Sequence, residues 1–178
     1  MKNRLFFFDI TDSKEISDQK SKCNLFEADF TKQLIEFMAF NCTVTGTLKQ
    51  LSGSIGVITP YKSQVMHLKN KLHVLCRTQN LELRDTIEVN TVDAFQGREK
   101  DIIIFNCVRS NFSTNIQSSL GFLTDERRLN VAITRPRHFL IIIGNAQTLE
   151  LNEVWANLIE HCKSKNCYIP LTKSILLP

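Results

Sequence analysis

Apolar residues cluster in short runs that alternate along the chain with longer segments of helical periodicity. Five such runs have the β-branched and aromatic composition of strands, at residues 5–10, 55–59, 87–92, 102–108 and 139–143. The last two are continuously apolar, as strands in the centre of a parallel sheet are when helices cover both faces. The pattern therefore predicts a mostly parallel sheet.

Four amphipathic segments predict helices. The first has Asn24 as its N-cap and extends to about Phe40, and the second covers residues 65–75. A short helix is predicted at 124–132, with Thr124 as its cap, and a final helix at 151–163. The inner face of the final helix is predicted to carry Leu151, Val154, Trp155, Leu158, Ile159 and Cys162. Residues 111–119 are predicted to form a polar loop.

This alternation favours an α/β domain with an open, mostly parallel sheet and helices on both faces. We expect the 178 residues to form a single domain, since a chain of this length buries one core. Such sheets bind ligands at the carboxyl ends of their strands. The chemistry is therefore expected in the loops that follow Thr59, Val92, Cys107 and Gly144.

Composition narrows the class of protein. Hydrophobic residues make up 43% and charged residues 22%, with six Gly and four Pro, which excludes disordered, collagen-like and coiled-coil chains. No apolar run approaches the roughly 20 residues of a spanning helix, and residues 1–10 lack the form of a signal peptide, so an intracellular protein without a membrane partner is expected. The net charge of +4 permits a polyanionic partner without requiring one.

Cysteine and histidine spacing predicts no metal site. The six cysteines and four histidines are scattered and lack the paired intervals of a zinc centre. A chain that has its own core does not need disulfides, so we interpret the cysteines as reduced thiols.

Two polar segments adjoin the predicted strands, at residues 90–101 and 125–137. The second contains four arginines within eleven residues, which suits bidentate contacts to phosphate oxygens. A solvated basic face with Glu–Arg pairs within one helix fits the same charge pattern. Tyr61, at the mouth of the second helix, also has two interpretations: a stacking platform for a base, or a half-buried residue beneath a loop.

Several motifs are absent from the sequence. The six glycines never form G-x-x-x-x-G-K-[ST] or another glycine-rich cradle, so this chain cannot by itself hold a nucleoside triphosphate and magnesium in the P-loop manner. It also lacks G-x-S-x-G, H-E-x-x-H and a CxxC pair, which removes the basis for hydrolase, zincin and thioredoxin interpretations.

Three long segments carry a family resemblance when taken in order. They are residues 55–64 (IGVITPYKSQ), 87–111 (IEVNTVDAFQGREKDIIIFNCVRSN) and 121–145 (GFLTDERRLNVAITRPRHFLIIIGN). These segments resemble motifs IV, V and VI in the second RecA-like domain of superfamily 1 RNA/DNA helicases, in the branch of the up-frameshift helicase of nonsense-mediated decay and of senataxin. Residues 5–10, followed by Asn24 and Glu27, are similar to the strand and N-x-x-E element that open this domain. The resemblance covers about residues 5–170 and implies a three-layer RecA-like fold of the P-loop NTPase type that lacks its own P-loop.

In that family, ATP lies between two RecA-like domains, and the first domain holds the phosphates and Mg²⁺. The resemblance implies that this chain is the second domain, which closes over ATP and is inactive alone. Arg135 matches the arginine finger that reaches the γ-phosphate. The chain departs from the family pattern at Pro136, where a small residue is usual. Because proline restricts the residue before it, this departure puts the aim of Arg135 in question.

The same resemblance implies further nucleotide contacts. Tyr61 matches the aromatic residue that stacks on adenine, and Glu99 the carboxylate that accepts hydrogen bonds from the ribose. Gly97 is expected to let the backbone approach the phosphates. Gln96 is expected to form a hydrogen bond in the same cleft. Arg128 is a second candidate for nucleotide or interdomain contacts, with a structural salt bridge as the alternative.

Nucleic-acid contacts are expected at Thr59, Asn90 and Thr91, where the family's motifs IV and V meet the backbone of a single strand of RNA or DNA. Short hydroxyl and amide groups hold phosphates and sugars without reading bases. Arg109 and Asn111 are weaker candidates for the same role. The implied function is the second motor domain of an ATP-dependent helicase, and the alternative is a RecA-like module that binds nucleic acid or protein without catalysis.

Overall fold

The structure, a computed structural model, describes residues 4–18, 21–44, 55–78, 87–111 and 119–171. The strands in these ranges are β1 (Leu5–Ile10), β2 (Ile16–Asp18), β3 (Ser21–Cys23), β4 (Ile55–Thr59), β5 (Ile87–Thr91), β6 (Lys100–Asn106), β7 (Pro136–Gly144) and β8 (Tyr168–Leu171). Six of them form one sheet in the order β5-β4-β6-β7-β1-β8, and each of its five pairings is parallel. The predicted α/β fold with a mostly parallel central sheet is confirmed.

Helices cover both faces of this sheet. They are α1 (Leu25–Val44), α2 (Lys62–Thr78), α3 (Glu126–Ile133), α4 (Ala146–Leu149) and α5 (Glu153–Ser164), with 3₁₀ turns at Asp93–Phe95 and Gly121–Thr124. Because side chains alternate along a strand, β6 contributes to both layers. Ile102 and Ile104 belong to the core beneath α1 and α2, whereas Ile103 and Phe105 belong to the core beneath α3 and α5.

The first and third helices differ from the sequence predictions at their ends. Helix α1 extends beyond Phe40 to Val44. The N-cap of α3 is Asp125, whose carboxylate accepts the N–H groups of Arg127 at 3.0 Å and Arg128 at 3.3 Å. The prediction of Thr124 as the cap is wrong, because its hydroxyl donates to the carbonyl of Gly121 and it ends the preceding 3₁₀ turn.

The final helix, α5, starts at Glu153 with Asn152 as its N-cap. The prediction that Val154 lies on its inner face is wrong, because this side chain is 36% exposed. Trp155 is fully buried, and its indole N–H donates to the carbonyl of Leu123 at 2.9 Å, which fixes α5 against the turn that precedes α3.

Three strands lie outside the sequence predictions. Strands β2 and β3 pair antiparallel in a small hairpin within a stretch that the polar composition left unassigned. Strand β8 adds to the sheet beside β1 and contains Pro170, which an edge strand accommodates because one side of its backbone is unpaired.

The remaining sequence predictions concern loops, cysteines and membrane spans. Most of the predicted polar loop, residues 112–118, lies outside the described residues. Five cysteines have described side chains, and none of these forms a disulfide: Cys23, Cys76, Cys107, Cys162 and Cys167. Across the same ranges, no cluster of three His, Cys, Asp or Glu side chains could hold a metal ion, and no helix has the length and apolar character needed to cross a bilayer.

Candidate functional site

Two segments meet at the amino ends of β6 and β7. Since β5 and β6 are parallel, residues 92–99 must return from the carboxyl end of one strand to the amino end of the other. Lys100 pairs with Pro136, and the N–H of Lys100 donates to the carbonyl of Arg135 at 3.2 Å. Glu99 and Arg135 therefore lie on adjacent segments at the amino edge of the sheet. The prediction that the loop after Val92 holds its polar groups at the carboxyl edge is wrong for Glu99.

Arg135 is held at the end of α3. Its Nε donates to the carbonyl of Val131 at 3.1 Å, and its Nη2 to the hydroxyl of Thr134 at 3.1 Å. No carboxylate in the described part of the chain forms an ion pair with it. Its positive charge lies at a helix C-terminus, where the dipole favours a cation. An arginine in this setting can still bind an external anion.

Pro136 is compatible with this arrangement. It is the first residue of β7. Proline is tolerated at this position because it lacks an N–H only at the end of the hydrogen-bond ladder. The carbonyl of Arg135 still accepts from Lys100, and its N–H donates to the carbonyl of Ala132 at 3.5 Å, so β6 and α3 fix the backbone on the two sides of the arginine.

Glu99 lies on the surface at this edge. Its side chain is 53% exposed, and it accepts a hydrogen bond from Nε of Arg137 at 3.3 Å. Gln96 is also exposed. Gly97 has a φ of +78°, and no atom lies within 4 Å of the position that a Cβ would take. Glycine is therefore favoured here by the left-handed backbone conformation and not by a lack of space.

Arg128 is committed to contacts within the chain. Its Nε lies 3.1 Å from a carboxylate oxygen of Asp93 and 3.7 Å from one of Asp125. The guanidinium carbon lies 3.6 Å from the centre of the Phe122 ring, within the range of a cation–π contact. These contacts match the structural salt bridge that was the alternative interpretation of Arg128.

A second polar cluster lies at the carboxyl edge around Tyr61. The Tyr61 hydroxyl accepts from Nη1 of Arg109 at 3.4 Å, and Nε of Arg109 donates to Glu15 at 2.8 Å. Burial raises the pKa of the Tyr61 phenol, although Arg109 opposes the shift. Burial would also raise the pKa of Glu15, but its hydrogen bonds from Lys22 and Arg109 hold it below the usual range. Tyr61 is half-buried, as one of its two interpretations required.

The predicted nucleic-acid contacts differ in exposure. Asn90 and Thr91 are half-buried at the carboxyl end of β5, where Asn90 Oδ1 accepts the N–H of Thr91 at 3.2 Å. Thr59 is 0% exposed because its side chain faces the α1–α2 layer, and its contact with nucleic acid stays a prediction. Arg109 is 3% exposed and paired internally, which removes it from the same surface, whereas Asn111 is exposed.

Sequence reasoning missed a network of buried polar side chains between α1, α2 and the end of β6. Gln64 donates to the carbonyl of Asn24 at 3.1 Å and to Oδ1 of Asn106 at 3.2 Å, and Thr31 donates to the same oxygen at 3.1 Å. Burial raises the pKa of Glu27 well above the usual carboxyl range, although the N–H of Val108 opposes the shift. The N-x-x-E spacing of Asn24 and Glu27 was the only sequence signal for it.

A parallel six-stranded sheet with helices on both faces is the architecture of an α/β RecA-like domain. The sequence pattern of the family described as AAA domain matches residues 1–147. The chain belongs to that family.

Named relatives extend this assignment. The chain is 44% identical over 169 residues to regulator of nonsense transcripts 1 of Dictyostelium discoideum, covering 94% of this chain and 12% of that protein. It is 38% identical over 158 residues to helicase sen1 of Schizosaccharomyces pombe, covering 89% and 9%. It is 36% identical over 172 residues to probable helicase MAGATAMA 3 of Arabidopsis thaliana, covering 95% and 20%. The chain thus spans a fifth or less of each of these proteins, and the predicted resemblance to up-frameshift and senataxin-type helicases is confirmed.

Proposed function

We propose that this chain acts as the second motor domain of an ATP-dependent RNA/DNA helicase, which closes over ATP bound to a first RecA-like domain. The observation that carries the proposal is the placement of Arg135. It has no carboxylate partner among the described residues, it is fixed by Val131 and Thr134, and it lies beside the segment of Glu99. The relatives named as helicases support the same role.

The residues at the amino edge suit a nucleotide held by another domain. ATP with Mg²⁺ supplies the phosphoryl group whose hydrolysis drives such a motor. Arg135 offers a fixed guanidinium for the charge that spreads over the phosphoryl oxygens, and fingers of this kind accelerate hydrolysis by about 10³- to 10⁵-fold. Glu99 is exposed, so its carboxylate can accept hydrogen bonds from ribose hydroxyls. Since Arg137 also binds Glu99, nucleotide binding would have to share or replace that contact.

The carboxyl edge would serve the nucleic-acid strand. Tyr61 lies at this edge, opposite the one that carries Arg135 and Glu99, so its ring suits stacking on a base of that strand and not on the adenine of the same ATP. Asn90 and Thr91 present short polar groups at the end of β5, which suits sequence-independent contacts to a single strand of RNA or DNA. Closure of the two domains over ATP, and their release after hydrolysis, would shift this contact along the strand.

The test is nucleic-acid-stimulated ATP hydrolysis by this chain joined to the segment encoded upstream of it. We expect Arg135→Ala to lower kcat by at least about 10³-fold while nucleotide binding persists. The matched control is Arg127→Ala, an exposed arginine on the same helix, for which hydrolysis should stay at the wild-type rate.

Hydrolysis that survives Arg135→Ala would refute the finger role. Nucleic-acid binding without any hydrolysis would instead support the non-catalytic binding module.

A further inference from the structure

The two edge strands of the central sheet differ in their capacity to accept another strand. Strand β8 contains Pro170, which has no N–H to donate to a neighbouring strand. Strand β5, at the other edge, contains no proline. In the described part of the chain, no strand pairs with the outer side of β5. The sheet is therefore protected against strand addition at β8 and open to it at β5.

The register of β5 shows which of its peptide groups lie on the open side. The N–H of Val92 donates to the carbonyl at the end of β4 at 3.1 Å. Because successive peptide groups of a strand point to opposite sides, Ile87, Val89 and Thr91 direct theirs away from β4. Asn90 Oδ1 accepts the outward N–H of Thr91 at 3.2 Å. The outward N–H groups of Ile87 and Val89 have no acceptor among the residues that the structure describes.

A groove of about 350 Å³ follows this edge between β5 and α2. Its apolar lining includes Leu72 of α2 and both Ile87 and Val89 of β5. Lys69 and His73 are exposed residues of the same lining. No described Phe, Tyr or Trp lines the groove, so it lacks the side chains on which nucleic-acid bases stack. An apolar side chain next to an extended backbone suits this groove better than a base does.

Helix α2 gives the groove a basic border, formed by Lys69, His73 and Arg77. The helix contains four Lys or Arg residues and no Asp or Glu. Lys71 is paired with Asp29, whereas Lys69 and Arg77 form no ion pair with a described residue. The three residues of the border are exposed and recur about 6 Å apart along the helix. Side chains on one face of a strand recur at about 6.6 Å, so acidic residues at alternate positions of an added strand match this spacing.

The acidic residue of β5 does not neutralise the basic border. Glu88 lies on the opposite face of the strand from Ile87 and Val89, because side chains alternate. It forms ion pairs there with Arg98 and with Lys100. The charge beside the groove is therefore positive.

We propose that the outer edge of β5 and the adjoining groove bind an extended segment of a partner protein, which adds to the sheet as a further strand. Carbonyl groups of the segment accept the outward N–H groups of Ile87 and Val89. One apolar side chain enters the groove, and acidic side chains at alternate positions on either side of it face the basic border. This binding uses neither Arg135 nor Glu99, so it does not depend on the proposed function.

The test is titration of the ¹⁵N-labelled chain with the synthetic peptide TDTVTDT, in which the two aspartates and the valine share one face of an extended strand. We expect the amide signals of Ile87 and Val89 to shift until they saturate. Two control peptides separate the contributions. TKTVTKT reverses the charge, and TDPVPDT keeps the charge but cannot extend a hydrogen-bond ladder. Each control should bind at least about tenfold more weakly than TDTVTDT.

Variants of the chain test the same two contributions. Lys69→Glu combined with Arg77→Glu should weaken binding of TDTVTDT at least about tenfold and strengthen binding of TKTVTKT. Arg127→Glu, a matched change at an exposed arginine of α3, should leave both affinities unchanged. Val89→Pro removes an outward N–H but no hydrogen bond to β4, and should abolish binding of either peptide. Should Val89→Pro fail to fold, the charge reversal and the proline peptide still decide the question.

Three results would overturn the proposal. The first is the absence of shifts at Ile87 and Val89 with TDTVTDT at millimolar concentration. The second is equal affinity for TDTVTDT and TDPVPDT, since strand addition requires the backbone N–H groups of the peptide to be free of substitution. The third is a shift of the same two signals by single-stranded oligouridine and not by TDTVTDT, which would assign the basic border to nucleic acid.

Discussion

The close approach of β4 to the loop before β6 provides a quantitative test of the structure. Gly56 lies in β4 beneath Phe95, whose ring anchors the turn that leads to Gln96, Gly97 and Glu99. A methyl group at residue 56 would lie 2.6 Å from Cδ1 of Ile103 and 2.9 Å from Cε1 of Phe95. Gly56→Ala should therefore overpack the core and displace the loop that carries Glu99.

The change in the free energy of unfolding caused by Gly56→Ala combines two opposing effects. Overpacking a core typically costs about 1–3 kcal/mol, whereas replacing glycine restricts the unfolded chain and returns about 0.4–1 kcal/mol. We expect Gly56→Ala to lower the free energy of unfolding by about 1–2 kcal/mol. Urea denaturation can measure this through the fluorescence of Trp155, the one tryptophan of the chain and fully buried.

A double-mutant cycle tests the cause. Ile103→Val removes Cδ1, the atom nearest the new methyl group, and alone should cost about 0.5–1.5 kcal/mol. If the clash is real, the double variant should be more stable than the sum of the single changes by about 1 kcal/mol. Additivity to within about 0.5 kcal/mol would refute the packing argument.

Two further outcomes follow from buried and capping carboxylates. The pKa of Glu27 is raised in the folded chain, so the unfolded chain binds fewer protons between the ordinary value of 4.5 and the folded pKa. Stability should fall as pH rises through that window, and Glu27→Gln should flatten the fall in urea denaturation curves measured from pH 4 to pH 8. Asp125→Ala should lower the free energy of unfolding by about 1 kcal/mol through loss of the α3 cap, whereas Asp125→Asn should retain it in thermal unfolding followed by circular dichroism.

The central sheet was predictable because its signals are local. Residues 102–105 of β6 and 139–143 of β7 are continuously apolar, and the helices beside these strands have apolar residues at helical spacing. The hairpin of β2 and β3 was not predictable, because strands of three residues are too short to show an alternation of apolar and polar residues. The cap of α3 was misplaced by one residue because Thr124 and Asp125 are both good capping residues.

The candidate site was predictable in residue types but not in arrangement. Sequence motifs identified Glu99 and Arg135, whereas their position at the amino edge depends on the return of residues 92–99 across the sheet. The burial of Thr59 depends on which face of β4 it occupies. The contact between Glu27 and Val108 joins residues 81 positions apart, so no local pattern could show it.

The candidate groups lie at opposite edges of the sheet. Glu99 and Arg135 lie at the amino edge, and Asn90 and Thr91 lie at the carboxyl edge. Seven residues of β6, at roughly 3.3 Å each, separate the edges by about 20 Å. Under the proposed function, rotation of the domain about the nucleotide end would move the far edge by about 0.35 Å for each degree. The length of β6 therefore sets how far the nucleic-acid contact moves for a given rotation.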